Sequence, residues 1–349
     1  MPDTELSMIP RTGLPWQVGE WRKQLATAAR DAEELLRRLD FPAAAIRRLL
    51  PAARAAARDF PLRVPDSFIA RMKPADSADP LLRQVLPLDA ELAATPGFVA
   101  DPLAEQAAMV APGLLHKYAA RALLVTTPAC AVHCRYCFRR HFPYAESRGQ
   151  ADHWRAAIDW LAARPDMEEI ILSGGDPLTL STARLGELLA ALRGIPHLRR
   201  LRLHTRLPIV LPQRVDEELL KLLAGQPWPV TVVVHANHPN ELGPEQGLAL
   251  AALRRQGITL LNQSVLLAGV NDHADTLCRL SVRLHECGVL PCYLHLLDPV
   301  AGAAHFAVEA RRAQALYRDM AARLPGYLLP RLAREDAGAP GKTLLGPTG

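Results

Sequence analysis

Apolar residues recur at two different periods along this chain, and the change of period divides it. Trp21, Leu25, Ala28, Ala32, Leu35 and Leu39 follow one another at steps of three and four. That is one face of a helix, and Phe41-Pro42 ends it. A second helix, rich in alanine and arginine, is predicted from Ala43 to Arg58. Between Pro61 and Pro112 eight prolines interrupt every period, which predicts short helices and extended connectors. Residues 1–110 therefore read as an N-terminal helical region.

Beyond it, six short apolar runs replace the helical face at intervals of roughly 30 residues: Ala122–Thr126, Glu169–Leu172, Leu201–Leu203, Val230–Val234, Ile258–Leu261 and Cys292–Leu294. The segments Asp152–Ala163, Thr182–Arg193, Glu245–Gln256 and Asp275–Cys287 between them return to the helical period. Such alternation predicts repeated βα units and a parallel sheet, an α/β fold. Six strands make an open, partial (β/α)6 barrel of TIM-like type, assigned to residues 111–330, with a C-terminal segment 331–349. Each run is followed by polar residues: a cysteine loop, Ser173-Gly174-Gly175-Asp176, His204-Thr205, His235-Ala236-Asn237-His238, Asn262-Gln263-Ser264, and His295 with Asp298. Polar groups at strand C-terminal ends mark the active face of a β/α barrel.

Composition narrows the setting. The chain has 349 residues, 49% of them hydrophobic, enough for a full core. No apolar run reaches the roughly 18 residues a spanning helix needs, and Met1 to Glu20 lacks a basic stretch followed by an apolar one. A cytoplasmic protein with no membrane partner is expected. Six cysteines are too few for a disulfide scaffold in a chain this long. Cys278, Cys287 and Cys292, widely spaced, are expected to be buried small hydrophobes. The net charge of +5 comes from scattered arginine pairs without aromatic interleaving. Solvated helix faces account for these pairs, so no nucleic acid partner is expected.

The chemistry concentrates in three places. Cys130, Cys134 and Cys137, spaced C-x3-C-x2-C, can converge on one metal centre with a position left open. A zinc site completed by His133 or His141 is the alternative, but no second short-spaced ligand pair accompanies it. On the next βα turn, Gly174-Gly175 lets bare backbone approach a ligand. Near the end, Lys342 lies in a glycine-rich, flexible segment, and a lysine amine can link covalently to the aldehyde of pyridoxal phosphate (PLP).

Taken together these motifs resemble the lysine 2,3-aminomutases, enzymes of the radical S-adenosylmethionine (SAM) type that also use PLP. The resemblance rests on the cysteine loop with Tyr136 and Arg139-Arg140, on Ser173-Gly-Gly-Asp-Pro177, and on His235-Ala-Asn-His-Pro-Asn-Glu241. It extends through Asn262-Gln-Ser-Val-Leu-Leu267, Asp298, Ala303-Ala-His-Phe306 and Gly341-Lys342-Thr343. Within the group, Leu62–Ile69, Asp79–Val85, Pro112–Tyr118, Phe138–Tyr144 and Tyr327–Glu335 resemble the branch that makes (R)-β-lysine for translation elongation factor P.

The resemblance implies a [4Fe–4S] cluster on Cys130, Cys134 and Cys137, and SAM against Tyr136, Ser173, Gly174, Gly175, Asp176, His235 and Gln263. It implies PLP on Lys342, with Tyr118 packed on its ring and Arg121 at its phosphate. Arg139 would grip the substrate carboxylate, and Asp298 with Glu335 the ε-ammonium of L-lysine. An external electron donor is implied, as is a functional link to elongation factor P and its lysyl-ligating enzyme. The catabolic members carry an aspartate where this chain has Glu335 beside Asp336, and a cysteine-rich tail absent before Gly349. A catabolic lysine enzyme, a glutamate 2,3-aminomutase and an RNA-modifying radical SAM enzyme are the rival readings. Homo-oligomer formation stays open.

Overall fold

A computed structural model describes residues 14–144 and 154–346. The first residues of the predicted 1–110 region, the start of the predicted helix Asp152–Ala163 and the last three residues lie outside that range. Among the described residues ten strands form one sheet in chain order. They are β1 (Met109–Ala111), β2 (Leu114–Tyr118), β3 (Arg121–Val125), β4 (Glu169–Ser173), β5 (Arg200–Thr205), β6 (Val230–Val234), β7 (Thr259–Val265), β8 (Leu290–His295), β9 (Arg331–Arg334) and β10 (Thr343–Leu344). Neighbours from β3 through β9 run parallel. The additions at the two edges, β1 with β2 and β10 with β9, are antiparallel. With β1 and β10 as free edges the sheet is a partial barrel.

All six expected strands are present, and the sheet continues past them on both sides. β9 escapes the apolar pattern because its four residues begin and end in arginine. β7 runs on through Asn262, Gln263 and Ser264, and β5 includes His204 and Thr205. Polar residues therefore belong to the strands themselves. Period-2 alternation explains this: in β5, Leu201 and Leu203 are buried in the core while Arg202 and His204 face the cavity described below.

Returning helices link the parallel strands. Thr182–Arg193 forms as expected, and Ser181 caps it by accepting the Arg184 N–H at 3.2 Å. Arg155–Ala162, Pro244–Arg255 and Ala274–Glu286 lie within a few residues of the predicted spans. The helices Glu217–Ala224 and Ala310–Ala321 are additions to the sequence reading.

At the N-terminus, two helices, Glu20–Ala26 and Ala32–Arg38, replace the single one expected. The break is built by Asp31, whose carboxylate accepts the Glu33 and Glu34 N–H groups and starts a new helix. Ala29 is meanwhile drawn into a two-bond bridge with Val64, both bonds at 2.9 Å. The next helix is Ala43–Asp59. One apolar cluster joins Trp16, Leu35 and Phe68 of this region to Leu172, Leu203 and Val232 of the barrel, so the two parts share a core.

Arg214 pins that junction. Its guanidinium is fully buried and donates to Leu178 O at 2.7 Å and Leu180 O at 3.2 Å, with Trp21 stacked 4.8 Å away. Burial pushes its pKa down to about 10, with Asp216 nearby offsetting part of that cost. Replacing it leaves buried carbonyls without donors. Arg214→Met is expected to lower unfolding free energy by about 3–5 kcal/mol. Urea denaturation of the variant against the parent protein measures this.

Candidate active site

A cavity of about 710 Å³ opens where β4, β5, β7 and β8 end, within the ~300–1,000 Å³ range of ligand sites. All sixteen candidate residues border it. Its walls come from far apart in the chain. Tyr118 ends β2, Arg121 opens β3, and the three cysteines follow β3. Ser173 ends β4, Gln263 lies within β7, and Lys342 immediately precedes β10.

The cysteine loop and the Gly-Gly turn are packed backbone to backbone. Gly175 N–H donates to Thr127 O at 2.7 Å, and Asp176 N–H to Ala129 O at 2.8 Å. A Cβ on Gly175 would sit 2.3 Å from Ala129 O, and one on Gly174, at φ +127°, 2.7 Å from Thr127 O. The glycines thus let two loops of the protein meet, a use beyond approach to a ligand. Asp176 is engaged in the same scaffold. Its carboxylate accepts from Thr205 Oγ1 and Arg206 N–H, both at 2.7 Å, and from the Leu178 and Leu207 N–H groups. Burial still lifts its pKa to about 6.

Two neutral histidines and a fixed tyrosine line the same wall. Burial, then the charge of Arg206, lowers His235 to about 3, and its Nε2 meets Gln263 Nε2 at 3.0 Å. Tyr136 accepts from Asn237 Nδ2 at 2.7 Å and donates to Gln84 Oε1 at 3.3 Å, which locks its ring. His204 is also held neutral, by burial first and His235 second, and its Nε2 has no hydrogen-bond partner among the described residues.

Carboxylates and cations dominate the rest of the cavity. Lys342 Nζ donates to Glu335 Oε2 at 2.7 Å and lies 5.5 Å from the Tyr293 ring centre. Burial pushes Glu335 up, yet Lys342, Lys117 and the Tyr118 hydroxyl together outweigh it and hold the carboxyl at about 2. Asp298 goes the other way: burial and then the Glu335 charge raise it to about 7. Lys342 is no part of a loose tail. β10 pairs with β9 in the register Thr343↔Arg334, and Asp336 accepts from Thr343 Oγ1 and pairs with Arg334. The glycine-rich segment is the turn of a hairpin, with Gly338 at φ +75°, so the lysine has a set position.

Arg139 meets a partner that the sequence did not suggest. Its Nε and Nη2 grip Glu105 side-on at 2.7 and 2.8 Å, and Nη1 donates to Ser173 Oγ at 3.0 Å. Five N–H donors less these three leave two, one on each terminal nitrogen. Lys117 reaches both Glu105 and Glu335, at 3.2 and 3.4 Å. Arg121, stacked 4.8 Å from the Tyr118 ring, makes no ion pair among the described residues and is free to take an anion.

Residues 124–280 match the Radical SAM superfamily. The chain is 51% identical over 326 residues to the L-lysine 2,3-aminomutase of Escherichia coli (strain K12), covering 93% of this chain and 94% of that protein. It is 44% identical to the protein of that name from Haemophilus influenzae, over 97% and 99% of the two chains. Identity to the Clostridium subterminale L-lysine 2,3-aminomutase is 35%, over 79% of this chain and 66% of that one. The chain belongs to the L-lysine 2,3-aminomutase family.

The residues present fit the cofactors of such an aminomutase. The Cys130 thiol is held well above its ordinary value by burial, then by Cys137, Asp176 and Cys134. Burial and Cys134 push Cys137 up to about 11. Sulfurs that oppose one another's ionisation call for a strongly cationic centre among them. Three thiols on one short loop that border one cavity suit an iron–sulfur cluster, each thiolate taking one iron. The rival zinc ligands are engaged elsewhere: His133 Nδ1 meets Pro61 O at 2.8 Å and His141 Nε2 meets Ala301 O at 3.1 Å. For PLP, a lysine, a stacked tyrosine and an unpaired arginine border one space. Cys292, expected in the core, is half-buried and borders the cavity too.

Glu105, Lys117, Gln84 and Arg206 are the site residues the sequence reading missed. Glu105 lies in the proline-interrupted stretch, and its contact with Arg139 spans 34 residues. The loop packing gives the first test of the site itself. Gly175→Ala forces the cysteine loop to move, at a cost of about 1–3 kcal/mol. Its affinity for SAM, measured by equilibrium dialysis of the anaerobically reconstituted protein, is expected to fall at least ~10-fold.

Proposed function

We propose that this chain is an isomerase, a radical SAM and PLP-dependent L-lysine 2,3-aminomutase, that makes (R)-β-lysine for attachment to translation elongation factor P. One observation carries the reading: the three-thiol loop and Lys342 border the same cavity as Asp298 and Glu335. A [4Fe–4S] cluster would sit on Cys130, Cys134 and Cys137, SAM along Tyr136, Ser173–Asp176, His235 and Gln263, and PLP on Lys342. When bound, SAM with the reduced cluster supplies a radical able to take hydrogen from C3 of lysine, and PLP supplies the π-system that carries nitrogen from C2 to C3.

The chain's own residues orient and discriminate. Arg121 offers an unpaired guanidinium to the phosphate, and Tyr118 offers its ring face. Asp298 and Glu335 place two carboxylates where an ε-ammonium would lie, a poor match for the side chain of glutamate. Arg139, held side-on by Glu105, presents its two remaining N–H groups to the α-carboxylate. Asp176 acts through the loops it joins.

The motifs of the N-terminal half, from Leu62–Ile69 to Phe138–Tyr144, favour the elongation factor P branch over the catabolic one. The organisation we infer is a helical region over 1–110, the barrel over 111–330 and a C-terminal segment 331–349 that brings in the PLP lysine. No helix among the described residues is long and apolar enough to cross a membrane. We place the protein in the cytoplasm, beside an external electron donor and the lysyl-ligating enzyme of elongation factor P.

Borohydride reduction tests the Lys342 assignment. In PLP-loaded protein it is expected to fix the cofactor on the peptide containing Gly341-Lys342-Thr343, with Lys342→Ala losing the adduct but keeping cluster and SAM binding. Labelling of another lysine, or full β-lysine formation by Lys342→Ala, would overturn it.

The pH profile tests Asp298. Because this carboxyl titrates at about 7, it gains the charge that attracts an ammonium as pH rises from about 6 to 8. kcat/KM for lysine is expected to rise across that window. Asp298→Asn should flatten the rise and lower kcat/KM about 10- to 100-fold at pH 8. An unchanged profile would misplace the ammonium pocket.

A further inference from the structure

β5 ends at Thr205, and the next residue leaves the strand on a turn fixed by Asp176, which accepts the Arg206 N–H at 2.7 Å. That anchor sets where the Arg206 side chain starts. Its Nη1 lies 2.7 Å from Cys134 Sγ. Its Nη2 donates to Gln84 Oε1 at 2.7 Å and Glu241 Oε2 at 2.9 Å. Phe68 and Tyr136 flank the guanidinium at 5.3 and 5.7 Å.

The partners are as fixed as the arginine. Glu241 is completely buried, and its Oε1 accepts the Asn237 and His238 N–H groups and Gln84 Nε2. Arg206 itself is 6% exposed. A buried cation is therefore held on one sulfur of the thiol loop, and the chemistry proposed above gives it no part.

We propose that Arg206 raises the reduction potential of the cluster by donating an N–H···S hydrogen bond to Cys134, with Glu241 setting how far. Reduction adds one electron, drawn from the external donor, and places more negative charge on the cluster and its sulfurs. No covalent bond or proton changes place. A donor cation in a dry setting stabilises the reduced form more than the oxidised one, which moves the potential upward. The buried Glu241 carboxylate opposes it and keeps the shift partial. The inference presupposes the cluster, whose presence iron analysis tests separately.

The experiment is an EPR-monitored redox titration of the anaerobically reconstituted full chain, without SAM, at matched iron content. Arg206→Gln removes the charge and is expected to lower the midpoint, whereas Glu241→Gln removes the opposing charge and is expected to raise it. Shifts of opposite sign would be the signature of charge acting through Cys134. A purely structural role would change iron content and leave the midpoint in place. An unchanged midpoint in both variants, or a shift of the same sign in both, overturns the proposal. If Arg206→Gln holds no iron, Glu241→Gln decides, because it removes only the opposing charge and leaves Arg206 on the sulfur. A raised midpoint in that variant supports the assignment, and a parent-like or lowered one contradicts it.

Discussion

The site hangs on one buried carboxylate. Asp176 gives its backbone N–H to the cysteine loop at Ala129 and takes four donors with its side chain, three of them from Thr205, Arg206 and Leu207 at the end of β5. Three successive βα loops are thereby fixed relative to one another. Burial works against that carboxylate, and the surrounding donors keep its pKa at about 6 rather than higher. The two glycines before it allow the contact, since any side chain there would meet backbone.

From that junction the chemistry divides along the cavity. On one wall are the thiols, Tyr136, and the Arg206–Glu241 pair, a set suited to a strongly charged centre. Lys342, Glu335, Asp298, Lys117 and the Arg139–Glu105 pair line the rest of the cavity with alternating charges. The β9–β10 hairpin brings Lys342 to the cavity. A sheet open at its edges is what lets a C-terminal hairpin complete the site, because a closed barrel has no edge to extend.

Much of this is legible in the sequence because it is local. Val230–Val234 is a continuous apolar run and reads as a buried strand; the cysteine spacing and the Gly-Gly turn are likewise short-range. What escapes is set by tertiary pairing. β9 is too short and too charged to register as a strand, yet it orders the segment that carries Lys342, which by composition alone reads as flexible. Arg206 reaches Cys134 across 72 positions and Gln84 across 122, and a lone arginine after a strand gives no periodic signal. The N-terminal helix is split for a related reason: the apolar face continues through Ala28, but the pairing of Ala29 with Val64 competes with it and wins.

Hydrogen taken from lysine and nitrogen moved along it would share this one cavity. The most direct measurement follows deuterium from C3 of L-lysine in protein carrying cluster, SAM and PLP under anaerobic, reducing conditions. The expected result is β-lysine with deuterium at C2 and deuterium in the recovered SAM. Fully loaded protein that forms no β-lysine, or forms it while the SAM pool stays unlabelled, would contradict it.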